Sequence, residues 1–122
     1  MATQPAAFKD LMGDGSVIQV TWVLTGTDDG SPVQFSQFAG RSMQIGTTGD
    51  AFAVGTVIIE GNNDGSTTWT NLRAPDSTAL SFAAAGLKGV LERVGYIRPR
   101  ASVAVTSVTC ILLMHRSQPL RT

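Results

Sequence analysis

Apolar and polar residues alternate along much of this chain with a period of two. That is the period of a β-strand, where successive side chains point to opposite faces. In VIQVTWVLT (17–25), Ile18, Val20, Trp22 and Leu24 fall on one side and Gln19, Thr21 and Thr25 on the other, with Val23 interrupting the polar side. VQFSQF (33–38) alternates Val33 and Phe35 with Gln34 and Ser36, and RSMQIG (41–46) alternates Met43 and Ile45 with Ser42 and Gln44. AVGTVIIEG (53–61) places Val54, Thr56, Ile58 and Glu60 on one face and Val57 and Ile59 on the other. TTWTNL (67–72) reads as its hairpin partner, and TALSFA (78–83) as a further short strand. YIRPRASV (96–103) is extended, and VAVTSVTCILLMHR (103–116) is a long last strand, apolar on both faces near its end. GTDDGSP (26–32), TTGDAF (47–52) and RAPDS (73–77) are rich in residues that accept tight backbone angles, and read as turns.

Three stretches break the pattern. Pro99 donates no backbone hydrogen bond, so its strand is expected at a sheet edge or broken at that residue. AAAGLKGVLERVG (83–95) is the one helical candidate. Gly86 and Gly89 each cost about 1 kcal/mol in a helix interior, so one turn within a loop is the most it should form. Residues 1–16 have no period, and Pro5, Gly13 and Gly15 oppose a helix. This stretch reads as an extended arm or a disordered tail. The predicted architecture is all-β: an antiparallel β-sandwich, jelly-roll-like, or a related barrel, of seven or eight short strands. It divides into an extended N-terminal arm (1–16), a β-sandwich domain (17–116) and a C-terminal tail (117–122).

Composition narrows the possibilities. At 122 residues the chain supports one modest core. Only 15% of residues are charged, against about 25% in an ordinary soluble domain. The net charge of zero is unevenly spread: residues 1–40 carry Lys9 against Asp10, Asp14, Asp28 and Asp29, whereas residues 93–122 carry five arginines and no acid. A basic end can mean nucleic acid, or pairing with an acidic surface, including one on another copy. No three basic residues are consecutive and only Tyr96 is interleaved among them, so direct nucleic-acid binding is not expected. Cys110, the one cysteine, sits in apolar SVTCILLM and reads as a buried thiol. No signal-peptide run is seen, and CILLM is too short to span a bilayer, so a protein made in a cytosol is expected.

The stretch VIIEGNNDGSTTW (57–69) offers the most chemistry. Read as a calcium loop from Glu60, it places Asn62, Asp64 and Gly65 at the third, fifth and sixth positions, but its first ligand is Glu and its twelfth Asn71. A turn spanning Asn62–Ser66 needs no metal. Trp69 then packs across the hairpin or serves as a platform for a sugar. His115 has no acid within twenty positions and lies five residues from Cys110, so on a strand the two point to opposite faces. Glu60 is the one strand carboxylate that could do acid/base work, and an arginine-paired Glu is the commoner case. No enzyme activity, cofactor or metal is expected.

VTWVLTGTDDGSPVQF, RSMQIGTTG, GTVIIEGNNDGSTTWTNL and LSFAAAGLKGVLERVGYIRPR, followed by a last apolar strand, together resemble the head decoration, or capsid cement, proteins of tailed bacteriophages. The likeness runs in order over about residues 17–116, and its most specific parts are the Glu-Gly-Asn-Asn-Asp-Gly run before Trp69 and YIRPR. Asn62 stands where the family often has Ser. The resemblance implies a jelly-roll-type fold on the outer surface of the virion's capsid, bridging major capsid protein subunits and stabilising the expanded shell. Partners would be the major capsid protein and other copies of the chain, a homodimer before a trimer, with no membrane involved. Candidate contacts are Phe8, Leu11 and Met12 in the arm, and Tyr96, Arg98 and Arg100, which share one face of their strand. The two arginines could clamp carboxylates on a partner, or pair with Asp28, Asp29 or Glu60 of their own chain. Two rival readings are a tail or fibre-base protein and a carbohydrate-binding β-sandwich using Trp69, Tyr96 and the Asn62–Asp64 turn.

Overall fold

A computed structural model describes residues 2–34, 40–47, 51–52, 55–92 and 94–116. Their strands form two sheets facing each other across one core, an all-β sandwich of the jelly-roll-like kind, with no helix among the described residues. The first sheet holds β1 (Thr3–Gln4), β4 (Asp29–Gly30), β5 (Val33–Gln34), β7 (Thr56–Asn62), β8 (Thr70–Asn71), β9 (Ser81–Phe82) and β11 (Tyr96–Val103). Its order is β1-β4-β11-β7-β8, with β5 also against β11 and β9 also against β7. The second sheet holds β2 (Ala7–Asp10), β3 (Val17–Gly26), β6 (Gly40–Ile45), β10 (Gly86–Gly89) and β12 (Val105–His115), in the order β10-β6-β12-β3-β2. Every pairing is antiparallel except β1 with β4.

The alternation read from sequence marks the buried faces. Val20, Trp22 and Leu24 of β3, Met43 and Ile45 of β6, and Val108, Cys110, Leu112 and Met114 of β12 line the core from one sheet. Val57 and Ile59 of β7, and Ile97 and Ala101 of β11, line it from the other. The Trp22 indole N–H donates to the Ser31 carbonyl at 2.9 Å, so the largest core side chain keeps its polar atom satisfied.

Three expectations change. Residues 2–16 are not an extended arm. β1 joins one sheet and β2 the other, so the segment crosses at Pro5–Ala6 and closes one side of the sandwich. β2 and β3 form a hairpin whose loop is shaped by Asp10, which accepts from the N–H groups of Gly13 and Gly15, both at φ of 79°. The helical turn expected within 83–95 is absent from the described residues, where Gly86–Gly89 instead pairs with β6 as an edge strand. β11 is not an edge strand, since β7 flanks it on one side and β4 and β5 on the other. Pro99 fits inside because it faces Ile59, whose own N–H and C=O are bonded to Leu80 and Leu72 on the far side. On the opposite flank, β5 stops at Ile97 and β4 starts at Arg100, so no neighbour asks Pro99 for an N–H. The one-sided break at Pro99 is thus real, but it lies within the sheet. Phe35 and Ser36, Val54, the tip of the 47–52 turn, and the tail 117–122 lie outside the described residues.

Gly30 is wedged between the Trp22 indole and the Pro99 ring. A Cβ there would come within 2.7 Å of both. Neither ring is a flexible chain end, so Gly30→Ala should cost about 1–3 kcal/mol through overpacking. Urea unfolding should show a lower midpoint with an unchanged slope.

Candidate functional site

The outward face of β11 carries Tyr96, Arg98 and Arg100, as the alternation around Pro99 predicts. The structure gives both arginines partners inside the chain. Arg98 Nη1 lies 2.9 Å from Asp29 Oδ2, and its Nε and Nη2 each lie 3.2 Å from Glu60 Oε1. Arg100 Nε lies 3.0 Å from the same oxygen. Glu60 and Asp29 are buried beneath these groups although they lie on the outward side of the sheet. The Arg98 guanidinium also stacks 4.2 Å from the centre of the Trp69 ring. Two cations and two carboxylates therefore form a neutral layer across β4, β11 and β7, capped by an indole. The acidic front and basic back of the sequence meet here within one molecule. Arg100 is the outermost member, about a third exposed, and uses only its Nε in these contacts.

The turn 26–32 does more than reverse the chain. Asp28 is buried and its carboxylate accepts from the Ala2 N–H at 2.9 Å, Gln4 Nε2 at 2.7 Å, and the Thr25 N–H and hydroxyl at 3.2 and 3.0 Å. Asp29 accepts from the Thr3 hydroxyl at 2.7 Å. These two carboxylates fasten the segment that begins the chain. The donors, led by the Gln4 amide, outweigh burial and lower the Asp28 pKa from an ordinary 3.8 to about 2. From the sequence alone Asp28 is a turn residue and a possible arginine partner. Its signal is the pair of adjacent acids in a stretch otherwise free of charge.

The Asn62–Ser66 turn is held by its own amides. Gly65 N–H donates to Asn62 Oδ1 at 3.1 Å, Ser66 N–H to Asp64 Oδ1 at 3.0 Å, and Asn62 Nδ2 to the Ser66 and Thr68 carbonyls. Gly65 sits at φ of 70°, which favours glycine, with the Tyr96 ring beneath it. Asn62 Oδ1 and Asp64 Oδ1 are thus engaged by backbone N–H groups of the turn itself. Among the described residues no three His, Cys, Asp or Glu side chains are grouped to hold a metal. A cleft of about 400 Å³ beside this turn is lined by amides, hydroxyls and Glu92, whose carboxylate pairs with Arg73. Cys110 is buried in the core, while His115 is exposed on the other side of β12, lying across Gly40.

The outward face of the second sheet is different in kind. Gln19, Thr21 and Val23 of β3, Ser42 and Gln44 of β6, Thr109, Ile111 and Leu113 of β12, and Leu87 of β10 make a patch without acid or base, bordered at one end by His115 of the same face. Leu87 is 66% exposed and Val23 47%. A shallow groove of about 200 Å³ runs between Gln19, Ser42, Gln44, Leu87, Ile111 and Leu113. Lys9, on the edge strand β2, is the nearest charge across the strands.

The six candidate contact residues fall into two separate groups. Tyr96, Arg98 and Arg100 stand together over the ionic layer. Phe8, on β2, and Leu11 and Met12, in the β2–β3 loop, lie at the edge of the other sheet, 63%, 42% and 66% exposed. The arm folds back onto its own domain, yet its three large apolar side chains stay in solvent.

No protein-family model matches the sequence, and the search of curated proteins gives no match. Solved structures share the fold. The SPBc2 prophage-derived protein YomS superposes with a TM-score of 0.61 at 12% identity, over 80% of this chain and 93% of that one. Recombinant oxalate oxidase in complex with glycolate superposes with a TM-score of 0.53 at 12% identity, over 96% of this chain but only 53% of that one. At such identities the likeness is one of fold.

Two outcomes test the layer and its anchor. Glu60→Ala leaves two guanidinium groups without their shared carboxylate and should cost about 3 kcal/mol, the scale of a broken buried pair. Arg100→Ala removes a more solvated partner and should cost about 1 kcal/mol or less. Chemical denaturation of the two variants and of their double mutant reads both the costs and the coupling. Because the Asp28 pKa falls on folding, its contribution is complete above about pH 4 and is lost as pH falls through about 2. The loss should amount to about 2 kcal/mol. Gln4→Ala should raise the Asp28 pKa and shrink that acid-side loss, as followed by carboxyl NMR titration and denaturation at each pH.

Proposed function

We propose that this chain is a decoration protein of a tailed-phage head. It binds the outer surface of the capsid, bridges major capsid protein subunits, and stabilises the expanded shell. The observation that carries the reading is the contrast between the two outward faces. One sheet neutralises its charges internally. The other presents a surface whose central residues carry no acid or base, with Leu87 and Val23 exposed and Lys9 and His115 at its margins. Exposed apolar side chains on an otherwise uncharged patch suit a protein that works while covered by a partner. The motif resemblance over residues 17–116 supports the phage assignment, as does the prophage origin of the structural neighbour YomS.

The mechanism needs no chemistry. Each copy buries a modest contact, and repetition over a lattice supplies the strength. A protein that binds the expanded shell and not its precursor shifts that equilibrium towards expansion by mass action. Binding the purified chain to expanded heads that lack it is the direct test. Occupancy near the capsid-protein count, together with a higher temperature of shell disruption, is the expected result. A few copies confined to the tail would favour a tail component instead. Val23→Glu combined with Leu87→Glu should weaken head binding at least about tenfold. The same variant should change folding stability by only about 0.5 kcal/mol, because both side chains already face solvent.

A further inference from the structure

We propose that β2 is a self-pairing edge, through which two copies of this chain join their second sheets across a two-fold axis, centred on Phe8 against the partner's Phe8. The proposal stands apart from the head-binding reading and would hold in its absence.

β2 is exposed at all four residues and pairs only with β3. The direction of its remaining hydrogen-bonding groups follows from the ladder. Leu11 N–H donates to the Val17 carbonyl, and the pairing continues as Asp10 with Ile18, Lys9 with Gln19, Phe8 with Val20 and Ala7 with Thr21. In an antiparallel ladder, bonded and non-bonded pairs alternate. Leu11, Lys9 and Ala7 therefore spend their backbone groups on β3. Phe8 and Asp10 point theirs away from it, along with Ala6 next in the series. Those groups form an unfilled template for another strand. The opposite edge of this sheet, β10, is less free, since its two terminal glycines are half-buried against Phe82 and Pro75.

A two-fold axis normal to the sheet pairs residues of the same parity, so the choice of register is short. Lys9 against Lys9, or Asp10 against Asp10, sets like charges directly opposite each other, which is unfavourable. Ala7 against Ala7 places Asp10 opposite Gln4, whose carbonyl already accepts from Ser31 within the first sheet. Phe8 against Phe8 has neither defect. It pairs Phe8 with itself and Ala6 with Asp10 through outward backbone groups, sets Lys9 opposite Ala7, and brings the two exposed Phe8 rings side by side. Aromatic cross-strand pairs are stabilising. Leu11 and Met12, exposed just beyond the strand, add apolar surface at the same junction.

Sedimentation equilibrium of the purified chain should show a concentration-dependent dimer. Phe8→Lys and Phe8→Glu should each weaken it at least about tenfold, and an equimolar mixture of the two variants should restore it by setting opposite charges across the axis. Residue 8 lies in solvent, so a folding defect would not be cured by mixing. Register is read by cysteine pairs. Phe8→Cys should cross-link between copies on mild oxidation, because bonded antiparallel pairs have Cα atoms about 5.5 Å apart, within disulfide reach. Lys9→Cys, two residues out of register with its own copy, should not. A chain that stays monomeric, variants that fail to recover on mixing, or cross-linking through residue 9 rather than residue 8 would each overturn the proposal.

Discussion

Two adjacent carboxylates tie together parts of the chain that are far apart in sequence. Asp28 collects donors from residues 2, 4 and 25, and Asp29 binds Thr3 and Arg98. Buried carboxylates are costly unless hydrogen-bonded or paired, so the opening segment and β11 must both be in place for this turn to be stable. The same short stretch carries Gly30, against which the Trp22 and Pro99 rings close. From Asp29 the charges continue through Arg98 to Glu60 and Arg100, which links β4, β11 and β7 side to side. The seven-stranded sheet is thus crossed by an ionic seam as well as by its backbone ladder, with β4 at one end of the seam.

What the sequence disclosed follows from how unlike the two faces of each strand are. β3, β6 and β12 bury one face and wet the other, so their alternation is plain and their core residues were readable from it. β2 is wet on both faces, leaving no alternation to read, and its sole signature is the glycine-rich DLMGDGS loop that joins it to β3. The Gly86–Gly89 strand lacks side chains at both ends and so lacks a pattern too. Pro99 suggested an edge, and only the positions of β4, β5 and β7 around it show how an interior strand tolerates the missing donor. In the candidate site, the shared face of Tyr96, Arg98 and Arg100 was legible because it is local. That Arg98 selects Asp29 while Asp28 serves the first residues depends on register between strands about 70 positions apart, as the 69-residue span of the Arg98–Asp29 bond shows. Local periodicity carries no record of that.

The sandwich has two unlike sides. The ionic side is self-sufficient: its cations have carboxylates, Trp69 is stacked on Arg98, and the adjoining Asn62–Ser66 turn is closed by its own N–H groups. The other side offers a patch of uncharged residues instead. The proposed head-binding role draws on this division, because a patch free of charge at its centre can be covered without stranding an ion away from water. The edge formed by β2 is a third kind of surface, defined by backbone direction rather than by side-chain chemistry.

The placement of β11 and β12 governs when the molecule can fold. β11 lies in the middle of one sheet and β12 in the middle of the other, yet they are the last two strands in chain order. As the chain leaves the ribosome, β3 emerges with its apolar face and no central strand to complete its sheet. The β12 residues that pair with it follow roughly 4–18 s later at ordinary elongation rates of about 5–20 residues per second. Until then neither sheet has its centre and the two cannot close on a common core. Closure of the core therefore waits for the arrival of these two strands.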